Sequence, residues 1–179
     1  SEAIVEAADN ASEQIPSLMS ANSDKKIVVL DPGHSSVSTG ASKTWNGILY
    51  REEVLTLKIA QYVKEALEQY GNVEVYLTRD ASTNPSLYDR VKYASDLGAD
   101  ILVSIHLNAA GEHESNTTAT GVEAMVAKIG SYNVENAKTG QDLARSILDR
   151  LVALGFKDRG FVFRMSDDTQ YSDGSIADY

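Results

Sequence analysis

Four consecutive apolar residues that run straight into a turn constrain this chain more than any other feature. Ile27-Val28-Val29-Leu30 leaves no position facing water, so it predicts a strand covered on both faces, as in a parallel or mixed sheet. Asp31-Pro32-Gly33 ends that strand, because proline cannot donate to a ladder and glycine permits an unusual turn. His34 is thereby placed just past a strand end, where open α/β sheets commonly put their sites. A second apolar run, Ile101–Ile105, leads into His106 in the same way. The chain has three histidines in all, so two of them at equivalent strand ends form a pattern rather than a scatter.

The rest of the chain alternates helix and strand signals. After a polar, glycine-bearing stretch over Ser35–Tyr50, expected as a loop, Leu55, Ile59, Val63, Ala66, Leu67 and Tyr70 recur every three or four residues and predict a helix over 52–70 closed by Gly71. Val73–Leu77 reads as a strand. Residues 86–97 read as a helix with Leu87, Val91, Ala94 and Leu97 inward, and Gly121–Ala127 as a strand. Residues 134–154 make a third helix, with Leu143, Ile147, Leu151 and Leu154 in register, and Phe161–Phe163 a last short strand. Strands alternating with helices at this spacing predict right-handed βαβ units. The expected fold class is α/β, a three-layer sandwich with a mixed, mostly parallel sheet flanked by helices. Residues 1–24, rich in Ala, Ser, Glu and Asn, read as a linker or pre-domain segment, with the domain over 25–179. Residues 164–179 are polar and offer no closing strand, which predicts a domain truncated at its C-terminus and missing its final strand.

Composition narrows the chemistry. A formal net charge of −10 over 179 residues argues against a nucleic-acid or anionic-membrane partner, either of which calls for a basic patch. Without cysteine there is neither a disulfide framework nor a thiolate metal site. No apolar run approaches the ~18 residues of a membrane span, and no leader is recognisable.

Imidazole and carboxylate are good zinc ligands, and a catalytic zinc keeps three protein ligands and one open position. His34 and His106, at the C-terminal ends of two parallel strands, can share one edge of a sheet. The helix after the first strand begins with Glu52-Glu53 and points its N-terminus to the same side, so either glutamate can complete the set. The competing reading is also open at this point: strand-end histidines are often hydrogen-bonded surface residues, and glutamates favour a helix N-terminus for its dipole alone.

Six short motifs occur in a fixed order: Leu30-Asp-Pro-Gly-His34, Glu52-x-x-Leu55-x-Leu57-x-Ile59-Ala60, Leu77-Thr-Arg79, Leu87-x-x-Arg90, Ser104-Ile-His-x-Asn-Ala109 and Gly121-x-Glu123. Together they resemble the type-3, zinc-dependent N-acetylmuramoyl-L-alanine amidases, peptidoglycan hydrolases of bacterial cell walls, over about residues 26–160. The resemblance implies Zn2+ on His34, Glu52 and His106, with Glu52 preferred to Glu53 because it holds the E-x-x-L position. It implies hydrolysis of the amide between N-acetylmuramic acid and L-alanine, by a monomer acting outside the cell on the wall. Asp31 is expected either to orient the first ligand or to form the turn. Asn108 holds the following loop or meets substrate, and Glu123 takes a rim or structural place. Arg79 and Arg90 are expected as structural ion-pairing residues, and His113 as a solvated loop residue. Trp45 and Tyr50 either stack on a sugar or pack over the helix. There is little room between Ala127 and Gln141 for an inserted helix that would plug the site.

The chain departs from the family's pattern in three places. Ser35-Ser36 stands where two glycines often follow the first histidine, and Ala94-Ser95 where Ala-Asn is usual. The third is the catalytic glutamate expected on a final strand: the last glutamate of these 179 residues is Glu135. No catalytic residue is therefore identified within the chain, and the family's general-base glutamate is expected to lie beyond Tyr179. Such a residue acts as general base and then proton donor, so the expectation is a chain that binds zinc and cleaves slowly. Two alternatives remain beside an active amidase. One is a zinc-binding wall or regulatory module with impaired catalysis; the other is a zinc peptidase acting on stem peptides.

Overall fold

The computed structural model describes residues 25–109, 120–130 and 133–163, and the backbone of 165–170 and 176–178. They fall into two compact units, one within residues 20–110 and one that includes residues 111–179. The expectations for residues 1–24, for His113 and for the chain around and after Tyr179 lie outside the described residues.

The first unit is built on β1 (Lys26–Pro32) as the middle strand of a parallel sheet. β4 (Val73–Leu77) lies on one side and β5 (Ile101–Ile105) on the other. The apolar run is buried on both faces as expected, with Val29 at 0% and Leu30 at 1% exposure. Val28 and Leu30 meet Val75 and Ala60, with Val63, Leu67, Val103 and Ile105 packed around them. Ala60, Val63 and Leu67 belong to α1 (Glu52–Leu67), which therefore covers this face of the sheet. Burying each side chain of this size contributes roughly 1.5–3 kcal/mol. The alternate residues Val29 and Asp31 face the other way, towards α2 (Leu87–Asp96), whose Arg90 reaches Asp31. α2 starts on a capping box, in which Ser86 and Asp89 satisfy each other's backbone N–H.

Both helices are rotated relative to the stripes expected from sequence. On α1 the buried line is Glu53, Thr56 and Ala60, continued by the partly buried Val63 and Leu67, while Ile59 and Ala66 are exposed. On α2 the inward residues are Arg90 and Ala94, whereas Leu87 is 83% exposed and Val91 60%. Each helix carries apolar side chains on more than one face, and the polar bonds described below choose between them. α1 ends at Leu67 rather than Tyr70, with Glu68 as its cap instead of Gly71.

The stretch expected as a loop over Ser35–Tyr50 contains an antiparallel hairpin, β2 (Ser42–Trp45) and β3 (Ile48–Arg51). Its turn is Asn46-Gly47, with φ of 50° and 76°. Paired positive φ values at Asn-Gly match the twist of a two-residue hairpin, and that dipeptide was the signal available in the sequence.

In the second unit β6 (Val122–Met125) and β7 (Asp158–Val162) pair in parallel across α3 (Val134–Ala153), a βαβ unit. α3 buries Ala137, Ala144 and Leu148; of the expected line, Leu143 and Leu151 are half-buried, whereas Ile147 and Leu154 are exposed. Arg145 ties the helix to Asp158, and Gln141 donates to the carbonyl of Ala127. The polar end of the chain, read from sequence as strandless, forms β8 (Met165–Gln170) and β9 (Ile176–Asp178), which pair antiparallel. β9 stops one residue short of Tyr179, so strand structure runs almost to the last residue of a stretch expected to hold none. The class is α/β with parallel sheets flanked by helices, as expected.

Candidate metal centre

The order β4-β1-β5 decides where a site can form. From β1 the chain passes through α1 to β4 on one side, then through α2 back across to β5 on the other. The reversal leaves a crevice at the C-terminal ends of β1 and β5, the usual ligand position in such sheets. Pro32 pairs with Ile105 in register, and Gly33 donates to the Ile105 carbonyl at 2.9 Å. His34 and His106, the next residues out, therefore flank the same crevice. Their rings lie edge to face with centroids 4.9 Å apart.

Glu52 opens α1 between them. Its Oε2 lies 3.2 Å from Nε2 of His34 and its Oε1 3.0 Å from Nδ1 of His106. The backbone N–H of Ala41 donates to Oε2 at 2.9 Å, and that of Leu107 to Oε1 at 2.7 Å. Burial pushes the carboxyl of Glu52 up, but these two N–H groups and the imidazoles outweigh it and hold the group below the ordinary glutamate value. It is thus kept ionised inside the protein. One ligand atom from each of the three side chains lies within 4.8 Å of the others. Two nitrogen donors and one buried, charged oxygen donor suit a borderline cation such as zinc.

Two glycines make the close approach possible. A β-carbon on Gly33 would come 2.6 Å from Nδ1 of His106. One on Gly40 would come 2.5 Å from Cδ2 of His34 and 2.6 Å from Oε2 of Glu52. Gly40 also has a φ of +68°, unfavourable for any other residue. Nothing in the sequence sets Gly40 apart from other loop glycines.

The remaining candidates take definite places. Glu53 turns away from the histidines: its Oε1 pairs with Arg51 at 3.0 Å, while its Oε2 is buried with no protein partner. Asp31 accepts from Thr78 (2.6 Å), Ser104 (2.7 Å) and Arg90 (2.7 Å), which binds β1 to β4, β5 and α2. Arg90 ion-pairs with Asp31 as anticipated, whereas Arg79 spends its guanidinium mainly on carbonyls. Ser35, one of the departures from the family's pattern, is buried; its hydroxyl bonds Asn84 and receives the N–H groups of Val37 and Ser38, folding the loop over the site. Asn108 is exposed just beyond His106. Trp45 is 65% exposed, its ring 6.5 Å from that of Tyr50. Glu123, in the second unit, pairs with Arg159 at 2.7 Å.

Comparison with known proteins gives a consistent picture. The family pattern described as N-acetylmuramoyl-L-alanine amidase matches residues 28–168. The endolysin of Bacillus phage SPP1 is 35% identical over 138 residues, covering 75% of this chain and 46% of the phage protein. The N-acetylmuramoyl-L-alanine amidase AmiA of Escherichia coli K12 is 44% identical over 82 residues, 46% of this chain and 27% of that protein. This chain therefore spans less than half the length of either relative. The crystal structure of an N-acetylmuramoyl-L-alanine amidase from Clostridium difficile 630 superposes with a TM-score of 0.66 at 30% identity, covering 78% of this chain and 70% of that one.

Proposed function

The chain belongs to the N-acetylmuramoyl-L-alanine amidase family, and on that basis we propose that it acts on peptidoglycan, hydrolysing the amide between N-acetylmuramic acid and L-alanine with zinc held by His34, Glu52 and His106. The observation that carries this reading is the cluster itself: three side chains from separate elements converge with their donor atoms within 4.8 Å. When bound there, zinc would lower the pKa of a water towards ~7 and polarise the scissile carbonyl.

The chain's own residues supply the rest. Glu52 contributes one negative charge, fixed by the Ala41 and Leu107 N–H groups so that little reorganisation is left for binding. His106, with 42% of its side chain exposed, and His34, with 28%, leave the cluster open to solvent and substrate on one side. The exposed Trp45 of the β2–β3 hairpin, which runs directly into Glu52, offers a ring that could stack on a sugar. No helix among the described residues is long and apolar enough to cross a membrane. The setting we propose is the cell wall.

A second reading is a wall-binding or regulatory module that holds the metal and cleaves poorly. Incubation of the zinc-loaded polypeptide with purified muropeptides, followed by end-group analysis, tests both. Release of peptides with a free L-alanine amine that stops on chelation supports the amidase. Metal binding with no release supports the module, and cleavage between amino acids would show a stem-peptide peptidase instead.

A further inference from the structure

The turn that carries His34 is held in an unfavourable shape. His34 has a φ of 64°, in the left-handed region that non-glycine residues enter only when their surroundings impose it. The surroundings here are two buried guanidinium groups, Arg79 at 4% and Arg90 at 6% exposure. Three consecutive carbonyls, those of Pro32, Gly33 and His34, each accept from one or both of them. Arg79 donates from Nε to Pro32 at 2.7 Å and from Nη2 to Gly33 at 2.9 Å. Arg90 donates from Nη1 to Pro32 at 2.9 Å and from Nη2 to His34 at 2.8 Å.

The same two side chains reach the other ligand-bearing elements. Nη2 of Arg79 also donates to the carbonyl of Glu53 at 2.8 Å, which joins the His34 turn to the first turn of the helix that begins with Glu52. Arg90 donates to Asp31, and Asp31 accepts from Ser104, two residues before His106 on β5. One hydrogen-bonded network therefore touches all three elements that bring ligands to the cluster.

We propose that Arg79 and Arg90 are positioning residues for the metal centre: their planar forks grip successive carbonyls of the Pro32–His34 turn and fix the imidazole of His34 against Glu52 and His106. This rests on the reading of the cluster as a metal site. The physical argument is one of forced choice. If His34 relaxed to an ordinary backbone conformation, its carbonyl would leave Arg90 and its ring would leave Glu52. A buried guanidinium donor would then lose its partner, which is more costly than keeping a strained φ. Fork geometry matters as well as charge, because a lysine ammonium in place of Arg90 could still pair with Asp31 but could not also span to the His34 carbonyl. Two buried cations behind a cation site are tolerable only because Asp31 and the carbonyls absorb them, so their presence is better explained by geometry than by attraction for the ligand.

Cobalt(II), titrated into the metal-free polypeptide and followed by its visible absorption, with zinc competition for affinity, separates positioning from fold support. Arg90→Lys is the decisive variant, since it retains the charge and the Asp31 pair. Arg79→Lys is the second, and Val75→Ala, a core change on the other face of the sheet, is the control for lost stability. Positioning predicts that both lysine variants fold, bind metal 10- to 100-fold more weakly, and show an altered cobalt spectrum, while Val75→Ala keeps wild-type affinity and spectrum. Unchanged affinity and spectrum in both lysine variants would overturn the proposal and leave the zinc reading standing. If wild type bound no metal at all, both readings would fall together. Should a lysine variant not fold, the other decides.

Discussion

Gly40 lies against the imidazole of His34, so closely that a β-carbon there would sit 2.5 Å from Cδ2 of the ring and would also press on Oε2 of Glu52. The contact explains how a polar loop between β1 and β2 closes over the cluster. It also makes a small residue far from any recognised motif a requirement of the site. Gly40→Ala should therefore combine backbone strain with displacement of two candidate ligands. We expect a loss of about 1–3 kcal/mol in stability and at least a ~10-fold drop in metal affinity, by analogy with other changes next to metal ligands. Gly47 has a similar positive φ of 76° but open space around it. Gly47→Ala should cost about 1 kcal/mol and leave metal affinity alone. Urea unfolding and metal titration of the pair distinguish strain from clash.

Zinc should stabilise the folded chain in proportion to its occupancy. At a hundred times Kd the gain is about 2.7 kcal/mol, or roughly 5–10 °C in Tm for a domain of this size, and chelation should remove it. Glu52→Gln should abolish that response. It should also weaken the metal-free protein by about 1–3 kcal/mol, because Ala41 and Leu107 donate to different oxygens of Glu52 and an amide has only one oxygen to offer. Thermal scans with zinc and with chelator give both numbers.

Acid should loosen the chain partly through Asp31. Burial pushes its carboxyl up, but Thr78, Ser104 and Arg90 outweigh burial and hold it below the ordinary value of 3.8. A carboxyl lowered on folding contributes stability that is complete above about pH 4 and is lost as the pH falls through its folded value. Asp31→Asn should flatten that part of the pH profile. It should also cost about 3–5 kcal/mol near neutrality, because it strips the buried Arg90 of its counter-charge. Urea midpoints of the metal-free proteins between pH 2.5 and pH 7 show whether the two curves converge at low pH.

Turnover by these 179 residues should be slow. With the metal bound but no glutamate after Glu135 in these residues, the rate should fall short of a relative that carries the acid–base glutamate by the contribution of proton transfer, roughly 10²–10⁴-fold. Rates of L-alanyl peptide release by the zinc-loaded polypeptide, set beside such a relative under identical conditions, check this. Equal rates would mean that another group moves the proton.

Some of this was open to reading in the sequence and some was not, for physical reasons. An unbroken apolar run has only one economical fate, so β1 and its burial on both faces were determined by Ile27–Leu30 alone. Strand-to-turn boundaries at His34 and His106, and the helix start at Glu52, are local events. Given parallel strands, they already sent three candidate ligands to one edge. What the sequence could not settle was anything decided by a partner distant in the chain. α2 carries Leu87 and Val91 as a plausible inward stripe, yet it turns Arg90 to the sheet, because the carbonyls of Pro32 and His34 and the carboxylate of Asp31 lie there to receive it. The closeness of Gly40 to His34, and the two N–H groups on Glu52, likewise depend on loops that meet only after the sheet has formed. Periodicity records which residues avoid water; it does not record which buried donors and acceptors will find each other, and in this protein those pairings shape the candidate metal centre.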